Sequence, residues 1–107
     1  MATAPKTKLS GQDPAKVDSK HYKVEFEDDK VRVLRVKYGP GEKSVMHSHP
    51  RLIAVFLKEG RAKFTMPDGK SEERNWTTGQ VLPMPAEQHL PENTSGKSIE
   101  LVLIELK

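Results

Sequence analysis

The spacing of turn signals constrains this chain most. Asp28-Asp29, Gly39-Pro40-Gly41, Glu59-Gly60, Pro67-Asp68-Gly69-Lys70 and Thr77-Thr78-Gly79 cut it into short runs, and nowhere does a helical period last ten residues. The runs between the cuts read as strands. Residues 23–27 alternate charged and apolar, and residues 31–36 are rich in β-branched side chains. Residues 52–57 are apolar on both faces, as expected of a strand covered on both sides. Glu59-Gly60 reads as a tight hairpin turn into residues 61–66, where Ala62, Phe64 and Met66 share a face. Pro67-Asp68-Gly69-Lys70 reads as a second hairpin turn, leading into the mostly polar run 71–76. Residues 81–85 are bounded by prolines and suit a strand end near a loop. Residues 90–97 read as loop, and residues 99–106 as a long final strand. This pattern predicts an antiparallel all-β sandwich or barrel.

A chain of 107 residues is sized for one domain. Residues 1–20 carry Pro5, Gly11, Pro14 and several lysines but almost no large apolar side chain, so they read as a flexible or extended arm before a barrel over 21–107. The net charge is only +3 with both signs interspersed, which argues against a nucleic-acid partner. With no cysteine there is no disulfide, thiolate ligand or cysteine nucleophile. No apolar run approaches a membrane span, and no secretory apolar region follows the N-terminal lysines. The expectation is a cytoplasmic protein with no membrane partner.

Against this scaffold one stretch carries chemistry, Gly41-Glu42-Lys43-Ser44-Val45-Met46-His47-Ser48-His49-Pro50. On a strand His47 and His49 project to the same side with α-carbons roughly 6.6 Å apart, so their imidazoles can share a metal ion. The bland reading of the same pair is two exposed polar residues on a strand edge.

These residues resemble the cupins, small antiparallel jelly-roll barrels. The first cupin motif runs Gly, five residues, His-x-His, then Glu and a closing Gly; Gly41, His47, His49 and Gly60 fit it. The second motif begins Gly, five residues, Pro, and ends in His and Asn; Gly79, Pro85, His89 and Asn93 fit it. The resemblance covers residues 22–107. The family's glutamate ligand falls on Ile53 or Ala54, neither of which binds metal, and Glu87 stands where the inner glycine would be. The resemblance therefore implies a metal site of three histidines, His47, His49 and His89.

Three neutral imidazoles suit iron, zinc, copper or nickel and leave positions open for substrate. The ligand set is similar to that of cupin dioxygenases, and the diketone-cleaving type fits better than the thiol type. The implied function is a non-haem iron(II) dioxygenase-like enzyme on a small oxygen-chelating substrate, with zinc or nickel as other metals. The alternative is a sensing or binding cupin without chemistry. Arg51 and Glu92 are candidate catalytic groups; Arg51 is equally readable as solvated surface, and Glu92 reads more readily as an ordinary surface-loop residue. Glu87 or Glu92 is a candidate stand-in for the missing carboxylate, and Glu42, Glu87, Gln88 and Glu92 are candidate acceptors behind the ligands. His21 reads as solvated, Trp76 as a packing or interface residue, and Asn93 as a loop cap. The doubly apolar runs 52–57 and 99–106 lead to the expectation of a homodimer.

Overall fold

Alternation of apolar and charged residues resolves into nine strands in a computed structural model that describes residues 12–107. They are β1 (Tyr22–Glu27), β2 (Val31–Tyr38), β3 (His47–His49), β4 (Leu52–Phe56), β5 (Gly60–Thr65), β6 (Ser71–Trp76), β7 (Val81–Met84), β8 (Glu87–Asn93) and β9 (Ile99–Leu106), after one short helix, α1 (Pro14–Val17). Every pairing is antiparallel. One sheet runs β1-β2-β9-β4-β7, the other β3-β8-β5-β6, and the chain crosses between them repeatedly. This is the expected antiparallel jelly-roll.

The side-chain period of two sets the core. Leu34, Val36 and Tyr38 of β2, Leu52, Ala54 and Phe56 of β4, and Ile99 and Leu103 of β9 point inward and are buried. Ala62 of β5 and Trp76 of β6 meet them from the second sheet. Phe56 and Trp76 stack at 4.6 Å, and the indole N–H donates to the Lys58 carbonyl at 2.9 Å, which makes Trp76 a packing residue. Asn93, also buried, donates to the Gly39 and Lys97 carbonyls and accepts from Ser95, the loop-capping role expected of it.

Three expectations change. Glu59-Gly60 is not a hairpin turn: β4 pairs with β7 and β9, and the chain leaves for the other sheet before β5 begins. A glycine is still required there, because a Cβ on Gly60 would lie 2.6 Å from a methyl of Ile99. Residues 90–93 are strand, not loop. Pro91 is tolerated in β8 because β3 ends opposite His89, so no ladder bond is asked of its missing N–H. Of the expected arm over 1–20, residues 12–20 are ordered and include α1; residues 1–11 lie outside the described residues. Asp13 caps α1 by accepting from the Ala15 N–H, and the Ser48 N–H donates to the Gln12 carbonyl at 2.9 Å, strapping this segment across β3. Among the described residues no helix is long and apolar enough to cross a membrane.

Candidate metal centre

β3 and β8 lie side by side with His47 opposite His89 and His49 opposite Glu87. The two-residue period then puts His47, His49 and His89 on one inward face. All three are buried, with ring centroids 4.9 to 5.3 Å apart. One nitrogen from each lies within 4.8 Å of the other two. The Tyr22 ring packs edge-on against His47, and Phe64 against His89, so the cluster has apolar walls.

The opposite nitrogen of each ring is anchored. His49 Nδ1 donates to Glu105 Oε2 at 2.8 Å, and His89 Nδ1 to Glu87 Oε1 at 2.6 Å. His47 Nδ1 lies 3.2 Å from Ser44 Oγ, whose single proton goes to Asp18 Oδ2, so the serine accepts from the histidine. All three rings are thereby fixed with Nδ1 protonated and the Nε2 lone pair aimed inward. His47 Nε2 is buried with no hydrogen-bond partner. A buried polar atom of this kind is costly unless something binds it, and it fits a metal ion held by the three Nε2 atoms.

The anchors continue outward. Glu105 also accepts from Arg32 Nε at 2.9 Å, and the same guanidinium makes a two-pronged pair with Asp13 at 2.8 and 2.9 Å. Both oxygens of Glu87 accept from Arg74, whose guanidinium lies over the Phe64 ring. The strap thus supports two histidines from behind, His47 through Asp18 and Ser44, and His49 through Asp13, Arg32 and Glu105.

Electrostatics agree with neutral rings at His47 and His89. Burial, reinforced by His49 and His89, pushes His47 down to about 3. Burial also lowers His89, against the opposing pull of Glu87. Burial alone would raise Glu87, but hydrogen bonds from His89 and Arg74 hold it at about 2. Unfolded histidines titrate near 6.5, so below that pH the unfolded chain takes up protons the native state refuses. The metal-free protein is therefore expected to lose stability as pH falls from 6.5 toward 3. For His47 alone the loss is about 2 kcal/mol between pH 7 and pH 5. Urea unfolding at the two pH values measures it, and equal midpoints would contradict buried neutral histidines.

Other candidates lie elsewhere. Arg51 is exposed in the turn between β3 and β4. Glu92 points away from the histidines on β8, beside Lys63 at 3.8 Å. Ile53 lies on the outer face of β4, and among the described residues no carboxylate joins the three histidines: Glu87 sits behind His89. His21 is buried, not solvated, with its two ring nitrogens facing Asp18 and Glu42 and its ring stacked on Tyr38. Glu42 closes that loop, accepting from the Gly39 N–H and from His21, which hold it at about 2. Glu105, Ser44, Asp18, Asp13 and Arg32 were not singled out in the sequence. Glu105 alone carried a signal, a carboxylate in the inward register of Ile99, Leu101 and Leu103.

Beside the cluster, between the sheets, lies a cavity of about 100 Å³ whose wall includes His49 and His89. A cupin domain from Bordetella pertussis superposes with a TM-score of 0.74 at 25% identity, over 80% of this chain and 91% of that one. The chain is a cupin by fold. An RmlC-like cupin family protein from Methanocaldococcus jannaschii matches at TM-score 0.62 and 20% identity, over 83% of both chains. A double-stranded β-helix domain protein from Klebsiella pneumoniae matches at 0.62 and 18%, over 79% of this chain and 74% of that one. No family model and no curated protein matches the sequence.

Proposed function

We propose that this cupin holds one divalent metal ion on the Nε2 atoms of His47, His49 and His89, with iron(II) the native occupant, and acts on a small oxygen-chelating substrate such as a β-diketone as a dioxygenase-like enzyme. The observation that carries the metal is the unpartnered Nε2 of His47 among three rings whose other nitrogens are anchored. Iron(II) on such a set would supply Lewis acidity and redox chemistry toward dioxygen. The protein's own contribution is positional. Glu105, Glu87 and Ser44 hold the rings, Tyr22 and Phe64 exclude water beside them, and the neutral donors leave the ion's charge unbalanced for an oxygen ligand. Anaerobic loading with iron(II), followed by oxygen-electrode assays with β-diketones, is expected to show oxygen uptake matching diketone loss. Iron-loaded protein that takes up no oxygen would defeat the dioxygenase reading.

One observation favours the rival, a binding or sensing cupin. The ionisable groups beside the cluster are already committed: Tyr22 and Tyr38 bond each other at 2.6 Å with both phenols raised by burial, and Arg74 and Glu87 neutralise one another. No free acid or base faces the cavity among them, so chemistry there would rest on the metal.

A homodimer is also proposed. One row across the outer face of the larger sheet reads Phe26, Val33, Ile104, Ile53, Pro83, and the next contains Val102, Val55 and Val81. Phe26 and Val81 are more than half exposed in the single chain, at 53% and 55%. A flat apolar face of this kind suits sheet-on-sheet packing against a second copy. Light scattering at micromolar concentration is expected to give twice the 12.0 kDa chain mass, and a monomer would refute it.

A further inference from the structure

The cavity is shaped by what is small and by what is already satisfied. Most inward positions carry a large side chain such as Leu, Ile, Tyr, Phe or Trp, but β4 and β5 each contribute an alanine, Ala54 and Ala62, and the space left between the sheets is about 100 Å³. A dry cavity of roughly 150 Å³ holds benzene, so this one suits a body of about five to seven non-hydrogen atoms once its open side is counted. It opens at the β7 edge: Leu82 pairs with Ala54 and shares its inward side, yet is 36% exposed.

Charge narrows the choice further. Among the described residues Arg74 is the one Lys or Arg lining the cavity, and each nitrogen of its guanidinium already donates to a carboxylate. Two nitrogens donate to the two oxygens of Glu87 at 2.9 Å, the third donates to Glu72, and its face covers Phe64. The Asn93 amide is turned to backbone carbonyls, and the Tyr22 and Tyr38 hydroxyls bond each other. A ligand carboxylate away from the histidines would enter a mostly apolar space whose buried donors are already committed, with the amide of Asn75 on an exposed stretch of the wall, and burying an unpaired charge is expensive.

We infer that the barrel interior selects a compact, uncharged ligand, its oxygens toward His49 and His89 and its apolar body between Ala54, Ala62 and Trp76, and rejects dicarboxylates of equal length. The inference rests on the metal reading only for how the oxygens are held; size and charge selection follow from the cavity.

Pentane-2,4-dione and malonate test it. Both place two oxygens across three carbons and have the same number of non-hydrogen atoms, but the first carries methyl groups where the second carries charge. Trp76 is the chain's single tryptophan and lines the cavity, so its fluorescence reports occupancy. Zinc-loaded protein at pH 7.5 is expected to respond saturably to the dione and to bind malonate at least 100-fold more weakly. Ala62→Leu should fill the space and weaken the dione response tenfold or more at unchanged zinc stoichiometry; Ala62→Val serves if the larger variant does not fold by circular dichroism. Malonate binding as tightly as the dione, or dione binding unchanged in the folded filled variant, would overturn the inference. The same titration without metal separates the two claims. A saturable dione response in a protein that binds no zinc supports the cavity and defeats the metal centre. Zinc binding with no dione response defeats the cavity and leaves the metal centre standing.

Discussion

His47→Ala is expected to abolish metal binding while scarcely changing the stability of the metal-free protein. The two halves follow from one atom. His47 is fully buried and its Nε2 has no partner, so in the metal-free protein the side chain contributes packing but also an unsatisfied polar group costing about 1–3 kcal/mol. Truncation removes that cost and leaves a cavity whose penalty is similar, about 2–4 kcal/mol, so the sum is small. With metal the balance is different. A ligand at 1,000 times its dissociation constant adds about 4.1 kcal/mol of stability. In a domain of this size that is on the order of 20 °C in Tm. Thermal unfolding with and without zinc, together with metal analysis, is expected to show that rise in the native protein and none in His47→Ala. A variant that keeps near-stoichiometric metal would remove His47 from the site. One that collapses without metal would make the residue structural.

What could be read from the sequence was whatever local chemistry dictates. The turn residues and the β-branched runs marked seven of the nine strands, because those preferences act over a few neighbouring residues, and β3 was read through its His-x-His spacing. β8 escaped because Pro91 argues against a strand unless the neighbouring strand is known to stop short, which is a property of pairing and not of the run itself. The Glu59-Gly60 turn misled for the same reason: a turn fixes where the chain bends, not which sheet it joins next. His47, His49 and His89 were legible through spacing. The groups behind them were not, since Asp13, Asp18, Arg32 and Glu105 are brought together from opposite ends of the chain. Residues 12–20 lacked the apolar content that marks an ordered segment. They are held by hydrogen bonds and ion pairs, and several of their partners lie 19 or more positions away in sequence, as in Arg32–Asp13 and Ser44–Asp18.

Those long-range ion pairs carry the other large effect. Glu105 is 3% exposed and faces His49 on one side and Arg32 on the other. Arg32 in turn grips Asp13, the residue that caps α1. Arg32→Met keeps most of the packing but leaves the Glu105 carboxylate buried without its cation, a change that typically costs 3–5 kcal/mol. Glu105→Gln in the same protein removes the stranded charge, so the double variant is expected to recover a large part of that loss. Urea unfolding of the two single variants and the double variant in the metal-free state closes the cycle. Metal affinity should behave differently. His49 needs an acceptor at Nδ1 to present Nε2, and a glutamine oxygen is a weaker one, so the double variant should remain about 10–100-fold below the native protein in zinc affinity even where its stability returns. The split between the two readouts identifies Glu105 as a positioning residue of the metal centre. If the double variant is no more stable than Arg32→Met alone, the buried carboxylate is not the source of the cost. If zinc affinity returns in step with stability, the residue acts only on the fold.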